Sequence, residues 1–106
     1  QGVLVIGSGF MTHGLPFLRD WRIEADAPGW SSDFDLWAKE ALEKGDIDSL
    51  TNFKELAPGM PYAHPTVEHF IPLFITLGMA TETEAAPDTL IDGYFMGLAK
   101  RSILVA

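Results

Sequence analysis

No cysteine occurs in the 106 residues, which excludes disulfides and thiolate chemistry and fits a cytoplasmic protein. Basic residues are scarce: seven Lys and Arg stand against fifteen Asp and Glu, for a net charge of −8. They form no stripe of the kind that neutralises phosphates, which argues against nucleic acid as a partner. Long apolar runs are also missing. None approaches the roughly 20 residues that cross a bilayer, and no signal peptide precedes the first apolar stretch, so the expectation is a soluble chain with no membrane partner. Internal repeats and low-complexity tracts are absent. So is an initiator methionine ahead of the opening strand-like run, and the sequence reads as a piece of something longer.

What is present is enough apolar material for a core, 47% of residues, in one domain over residues 1–106. Val3-Leu4-Val5-Ile6 is a short, continuous and mostly β-branched run, the pattern of a strand covered on both faces. Gly7-Ser8-Gly9 ends it. Residues 15–30 lack clean periodicity and read as loop with at most a helical turn, with Trp21 and Trp30 as packing residues. Ser32-Asp33-Phe34-Asp35 resembles a capping box that opens a helix to Lys44, with Phe34, Trp37, Ala38, Ala41 and Leu42 on its inner face. A Glu40–Lys44 pair is expected on its outer face, and Gly45 stops it. A second helix is expected from Asp46 or Asp48 to Leu56, with Ile47, Leu50 and Phe53 inward, before Pro58-Gly59. The acidic residues of both helices read as solvated faces without calcium-loop spacing.

The next stretch, Thr66 to Leu77, is apolar almost all round and reads as a helix buried between layers, with a kink or late start at Pro72 and a stop at Gly78. Residues 81–88 form a polar surface loop. Tyr94-Phe95-Met96 and Ser102 to Ala106 are strand-prone, with Gly97 marking a turn or bulge between them. The fold class is therefore α/β, and the expected architecture is part of an α/β sandwich with a mixed central sheet flanked by helices.

All three histidines sit at junctions between loops and elements. His13 follows the first strand-like run, where open α/β sheets bind ligands. The glycine-rich alternative, a phosphate cradle, fails because GxGxxG needs glycine where Thr12 stands. Pro65 biases His64 away from helical dihedrals, so Thr66 is placed to cap the helix and His69 falls in its first turn. There the helix dipole favours a neutral ring competent to bind metal. Imidazole suits Fe(II) or Zn(II), yet a catalytic metal generally takes three protein ligands. Glu68 points about 100° away from His69 around a helix and supplies no clear third.

Val3 to Gly9 followed by Thr12-His13-Gly14-Leu15, then His64-Pro65-Thr66-Val67-Glu68-His69-Phe70-Ile71-Pro72-Leu73 and Leu77-Gly78, resembles the C-terminal half of the class III extradiol ring-cleavage dioxygenases. The likeness is closest to the DOPA extradiol branch, and it extends loosely over the Phe34–Glu43 helix and the closing Gly97 to Ser102 segment. It implies a non-haem Fe(II), with Zn(II) as the other option, and a small aromatic diol opened by O2 next to its hydroxyls. His69 would be a metal ligand, and His13 would ligate or act in acid–base catalysis. His64 would touch substrate or support the site from behind. The family's other metal-binding histidines lie in an N-terminal half absent here, so the fragment alone is expected to be inactive. Ala99-Lys100 replaces the family's usual serine-methionine before Arg101.

A second hypothesis from another class is a non-catalytic binding module that kept the fold. A zinc hydrolase would need a water-activating carboxylate, and none is placed for it. A fragment folding alone would leave an open sheet edge or apolar patch, for which a homo-oligomer is the expected outcome.

Overall fold

The computed structural model describes residues 2–106. The longest helix, α1, runs from Gly29 to Lys44, because the Pro28 carbonyl accepts from the Ser31 and Ser32 amides at 2.9 and 3.1 Å and starts it there. This is four residues earlier than a capping box with Ser32 as the cap would place it. Asp35 caps nothing; it is drawn across to Arg101 instead. At the other end Gly45 takes a left-handed φ of 67°, and the amides of Gly45 and Asp46 bond back to the Leu42 and Ala41 carbonyls, the two bonds of a Schellman closure. The ion pair along its surface is Lys39–Glu43 at 3.9 Å, in place of the expected Glu40–Lys44.

Asp46 then caps α2 (Ile47–Thr51) by accepting from the Ser49 amide at 3.1 Å. Asn52 leaves helical dihedrals, so the expected second helix is two short ones, α2 and α3 (Phe53–Leu56). Leu50 and Phe53 turn inward as read, while Ile47 stays at the surface.

The fourth helix, α4, spans Ile71–Gly78: the late start expected at Pro72 and the stop at Gly78 are both found, and the start at Thr66 is not. Starting at Ile71 puts Pro72 in the first turn, where its missing N–H costs nothing and its ring meets no preceding helical carbonyl. His69 consequently lies before the helix, in a turn closed by bonds from the Phe70 and Ile71 amides to the Val67 carbonyl. Thr66 does not cap it, its hydroxyl donating to Glu68 Oε1 at 2.7 Å. Ile71 and Ile75 are exposed, so the helix is covered on one side only and not buried between layers.

Four short strands complete the chain: β1 (Asp88–Ile91), β2 (Tyr94–Phe95), β3 (Leu98–Ala99) and β4 (Ser102–Leu104). Met96 and Gly97, both with positive φ (55° and 76°), form the two-residue turn between β2 and β3. β1 pairs antiparallel with β4, with a bulge between Thr89 and Ile91. β1 was not anticipated, because Asp88-Thr89-Leu90-Ile91 emerges from an acidic loop and every residue in it is exposed.

Helices and small antiparallel sheets thus give a mixed α/β chain, and the described residues hold no mixed central sheet. Val3–Ile6 corrects the strand reading: the run forms no ladder, and Val3, Leu4 and Ile6 are 78, 79 and 78% exposed. The physical reason is that a strand needs a neighbour for its peptide groups, and the described residues supply none. The core lies instead between α1, α2, α3 and the Met11, Ala63, Phe70 and Ala99 region. Trp30 packs against it, whereas Trp21 is exposed. No helix among the described residues is long and apolar enough to cross a membrane.

One polar contact ties the closing segment to α1. Arg101 Nε and Nη2 donate to the two Asp35 oxygens at 2.9 Å each, with side chains only 4 and 8% exposed. Removing one partner strands a buried charge, so Arg101→Met is expected to destabilise the fold by about 3–5 kcal/mol, and Asp35→Leu combined with Arg101→Met by much less. Urea midpoints of the two variants check this.

Candidate metal and catalytic centre

The site begins with the backbone of Phe10–His13. The Phe10 amide donates to the His69 carbonyl at 3.0 Å, the Met11 amide to the Ala99 carbonyl at 3.1 Å, and the His13 amide to the Ala63 carbonyl at 2.7 Å. Thr12 is fully buried; its hydroxyl oxygen accepts from the Ala99 amide at 2.7 Å and shares a 2.8 Å hydrogen bond with the Ser31 hydroxyl. His64 Nε2 donates to the Met11 carbonyl at 2.7 Å. The loop is thus fastened to α1, to β3 and to the segment before α4.

The glycines before it serve close approach. A Cβ on Gly9 would strike the His69 carbonyl, and one on Gly7 would lie 2.7 Å from the Pro72 carbonyl and against the Thr76 hydroxyl. Gly7-Ser8-Gly9 therefore packs on the His69–Thr76 segment.

This fastening brings His13 and His69 together, their ring centroids 3.5 Å apart and their planes within 19°. Partial burial, then the neighbouring His69, lowers the His13 pKa from its ordinary value, so the ring is neutral at pH 7. Glu68 Oε1 lies 3.9 Å from His69 Nε2. Glu68 is itself held below the usual carboxylate range by hydrogen bonds, the Thr66 hydroxyl first. His64 stands apart. It is 2% exposed, faces Phe34 and Phe70 at 5.1 and 5.0 Å, and leaves Nδ1 without a partner. Its link to the other two histidines runs through the Met11 carbonyl.

Two imidazoles side by side are the right donors for Fe(II) or Zn(II). No group of three His, Asp or Glu side chains able to hold a metal gathers among the described residues. An imidazole binds metal through a lone pair in its ring plane, so two nearly parallel rings must rotate somewhat to share one ion.

The family described as the catalytic LigB subunit of aromatic ring-opening dioxygenase matches residues 1–96. The chain belongs to this family. Among curated relatives, the 4,5-DOPA dioxygenase extradiol of Beta vulgaris is 39% identical over 89 residues, covering 81% of this chain and 31% of the relative. That of Portulaca grandiflora is 38% identical, with the same coverage of each. The Escherichia coli (strain K12) protein of the same name is 28% identical over 101 residues, covering 92% of this chain and 36% of its own length. The chain therefore spans about a third of the length of the curated relatives it matches.

Within this LigB-family chain, sequence reasoning passed over Thr12, noticed only as the residue that spoils a glycine motif. A lone threonine between Met and His gives no sign that a helix hydroxyl and a strand amide will converge on it. The Asp35–Arg101 pair was equally hidden, because both residues sit in stretches of ordinary surface polarity.

Burial, partly opposed by the Met11 hydrogen bond, lowers the His64 pKa from 6.5 to about 4. In the unfolded chain the ring protonates first, so the stability it contributes is complete above pH 6.5 and is lost as pH falls towards 4, by roughly 3 kcal/mol. His64→Gln, which keeps an N–H for Met11, is expected to flatten this acid limb in urea unfolding measured from pH 7.5 to 4.5.

Proposed function

We propose that this chain is the C-terminal part of a non-haem metal-dependent extradiol dioxygenase that opens catecholic aromatic rings with O2. The observation that carries the reading is the contact of two histidine rings, His13 and His69, in a chain of the LigB family. DOPA, named for the relatives, carries adjacent ring hydroxyls, and a small aromatic diol is accordingly the substrate class assigned here.

His69 would hold the metal, Fe(II) or alternatively Zn(II), with His13 beside it. When bound, the metal supplies a positive centre that acidifies ring hydroxyls and gathers diol and O2 in one place. His13, neutral at the start, takes a proton from a substrate hydroxyl on a ring nitrogen and returns it to the opened product. Its partial burial favours the neutral form needed for that first transfer. His64 keeps the His13 loop in place by holding the Met11 carbonyl, and its aromatic surroundings keep substrate away from it. Further ligands would come from the parent polypeptide beyond this third.

The test uses the full-length parent: anaerobic Fe(II) titration, then oxygen uptake with a catechol panel. Wild type is expected to bind Fe(II) and consume O2 with a coloured ring-fission product. His69→Ala is expected to lose Fe(II) binding and at least about a hundredfold in turnover. His13→Gln is expected to keep Fe(II) while turnover falls by about 10²–10⁴. Fe(II) binding by wild type with no turnover of any catechol would contradict the ring-cleavage reading and favour a binding module.

A further inference from the structure

Two stretches of the chain carry no charge. Residues 2–18 and residues 69–81 contain no Asp, Glu, Lys or Arg, in a chain whose net charge is −8. The structure sets them side by side: the segment from Leu4 to Gly9 and the side of α4 that holds Pro72, Leu73 and Thr76 line one concavity of about 380 Å³. The close approach of Gly7 and Gly9 to the His69–Thr76 segment fixes them there.

The surface they form together is open in two ways. Its side chains are apolar and uncovered: Val3, Leu4 and Ile6 stand largely free, and Ile71, Ile75 and Met79, which follow one side of α4 to its end, are 43, 57 and 56% exposed. Its backbone is unpaired as well. The peptide groups of residues 2–9 exchange no hydrogen bond with any other backbone group among the described residues. A mostly β-branched run with free N–H and C=O groups is a template on which another strand pairs.

We propose that two copies of this chain associate through this face, with Val3–Ile6 of each paired antiparallel across a two-fold axis and Ile71, Ile75 and Met79 covered in the same contact. Charge selects a second copy as the occupant. Asp33, Glu40, Glu43, Asp48 and Glu55 are exposed on α1, α2 and α3, so copies that met there would oppose carboxylate to carboxylate. On the uncharged face they meet with no like charges opposed. An antiparallel pair of identical runs is symmetric about a two-fold axis, so the assembly closes at two copies. The homo-oligomer expected from the sequence thereby acquires a location, and nothing in it rests on ring cleavage.

The test is sedimentation velocity of the chain, without metal, from micromolar to millimolar concentrations, with amide hydrogen exchange at both ends of that range. A monomer–dimer equilibrium is expected, with the Val3–Ile6 amides protected at the high end and exchanging freely at the low end. Leu4→Glu and Ile75→Glu are each expected to weaken the dimer at least about tenfold, since each buries an unpaired carboxylate in both copies. Leu36→Glu applies the same change at an exposed position of α1 and is expected to leave the dimer unchanged. All three side chains are exposed, so circular dichroism should show the fold intact. A monomer at every concentration, growth beyond dimers, exchange at Val3–Ile6 that does not slow with concentration, or an equal effect of Leu36→Glu would overturn the proposal. So would a chain that stays monomeric and instead binds the remaining polypeptide of the parent, supplied separately, because that polypeptide would then be the occupant. None of these outcomes bears on Fe(II) binding or oxygen uptake by the parent, so the two readings fail separately.

Discussion

The Phe10–His13 backbone is the constraint on which the rest depends. Its amides and carbonyls are taken up by His69, Ala99, Ala63 and His64, and the Thr12 hydroxyl adds Ser31 and the Ala99 amide. These partners lie on α1, on β3, and on the loop that precedes α4. One tetrapeptide therefore joins segments that otherwise share little hydrogen bonding, and it does so in a buried setting where an unmade bond is expensive. The aromatic core follows the same line. Phe34, Phe53 and Phe70 close around the His64 ring, which in turn holds Met11.

Chemistry follows from this fastening. His13 and His69 meet because the Phe10 amide, three residues before His13, holds the His69 carbonyl while the His13 amide holds Ala63, so the contact is set by backbone and not by chance meetings of long side chains. Such fastening holds the two backbones in place, so that only ring rotation is left for the histidines to turn toward a metal or a proton. The chain also ends its packing abruptly on one side. Val3, Leu4 and Ile6, with Ile71 and Ile75 of α4, leave apolar surface uncovered, in keeping with a chain that spans about a third of its relatives.

Local signals were legible where one residue decides the backbone. Gly45, Gly97 and the inner face of α1 were read correctly because a positive φ or a helical period leaves its mark on the chain. Elements that depend on distant partners were not. Val3–Ile6 has strand propensity without a strand, since pairing is a property of neighbours and its neighbours are absent among the described residues. Of the two starts the sequence offered, a cap at Thr66 and a late start at Pro72, the structure takes the second, which leaves His69 in a turn. The histidines were singled out by residue type and position, whereas the geometry that unites them runs through Thr12, Ala63 and Ala99, whose identities announce nothing.

The central claim is that the fastened Phe10–His13 backbone holds His13 against His69. The most direct measurement is NMR of the chain with isotope-labelled histidine and phenylalanine, following ring-to-ring cross-peaks in wild type and in Thr12→Val, which keeps the side chain's volume but orphans the Ala99 amide. The account predicts His13–His69 cross-peaks in wild type that weaken or vanish in Thr12→Val while those between Phe34 and Phe70 persist. Absence of the histidine cross-peaks in wild type, or their full retention in Thr12→Val, would contradict it.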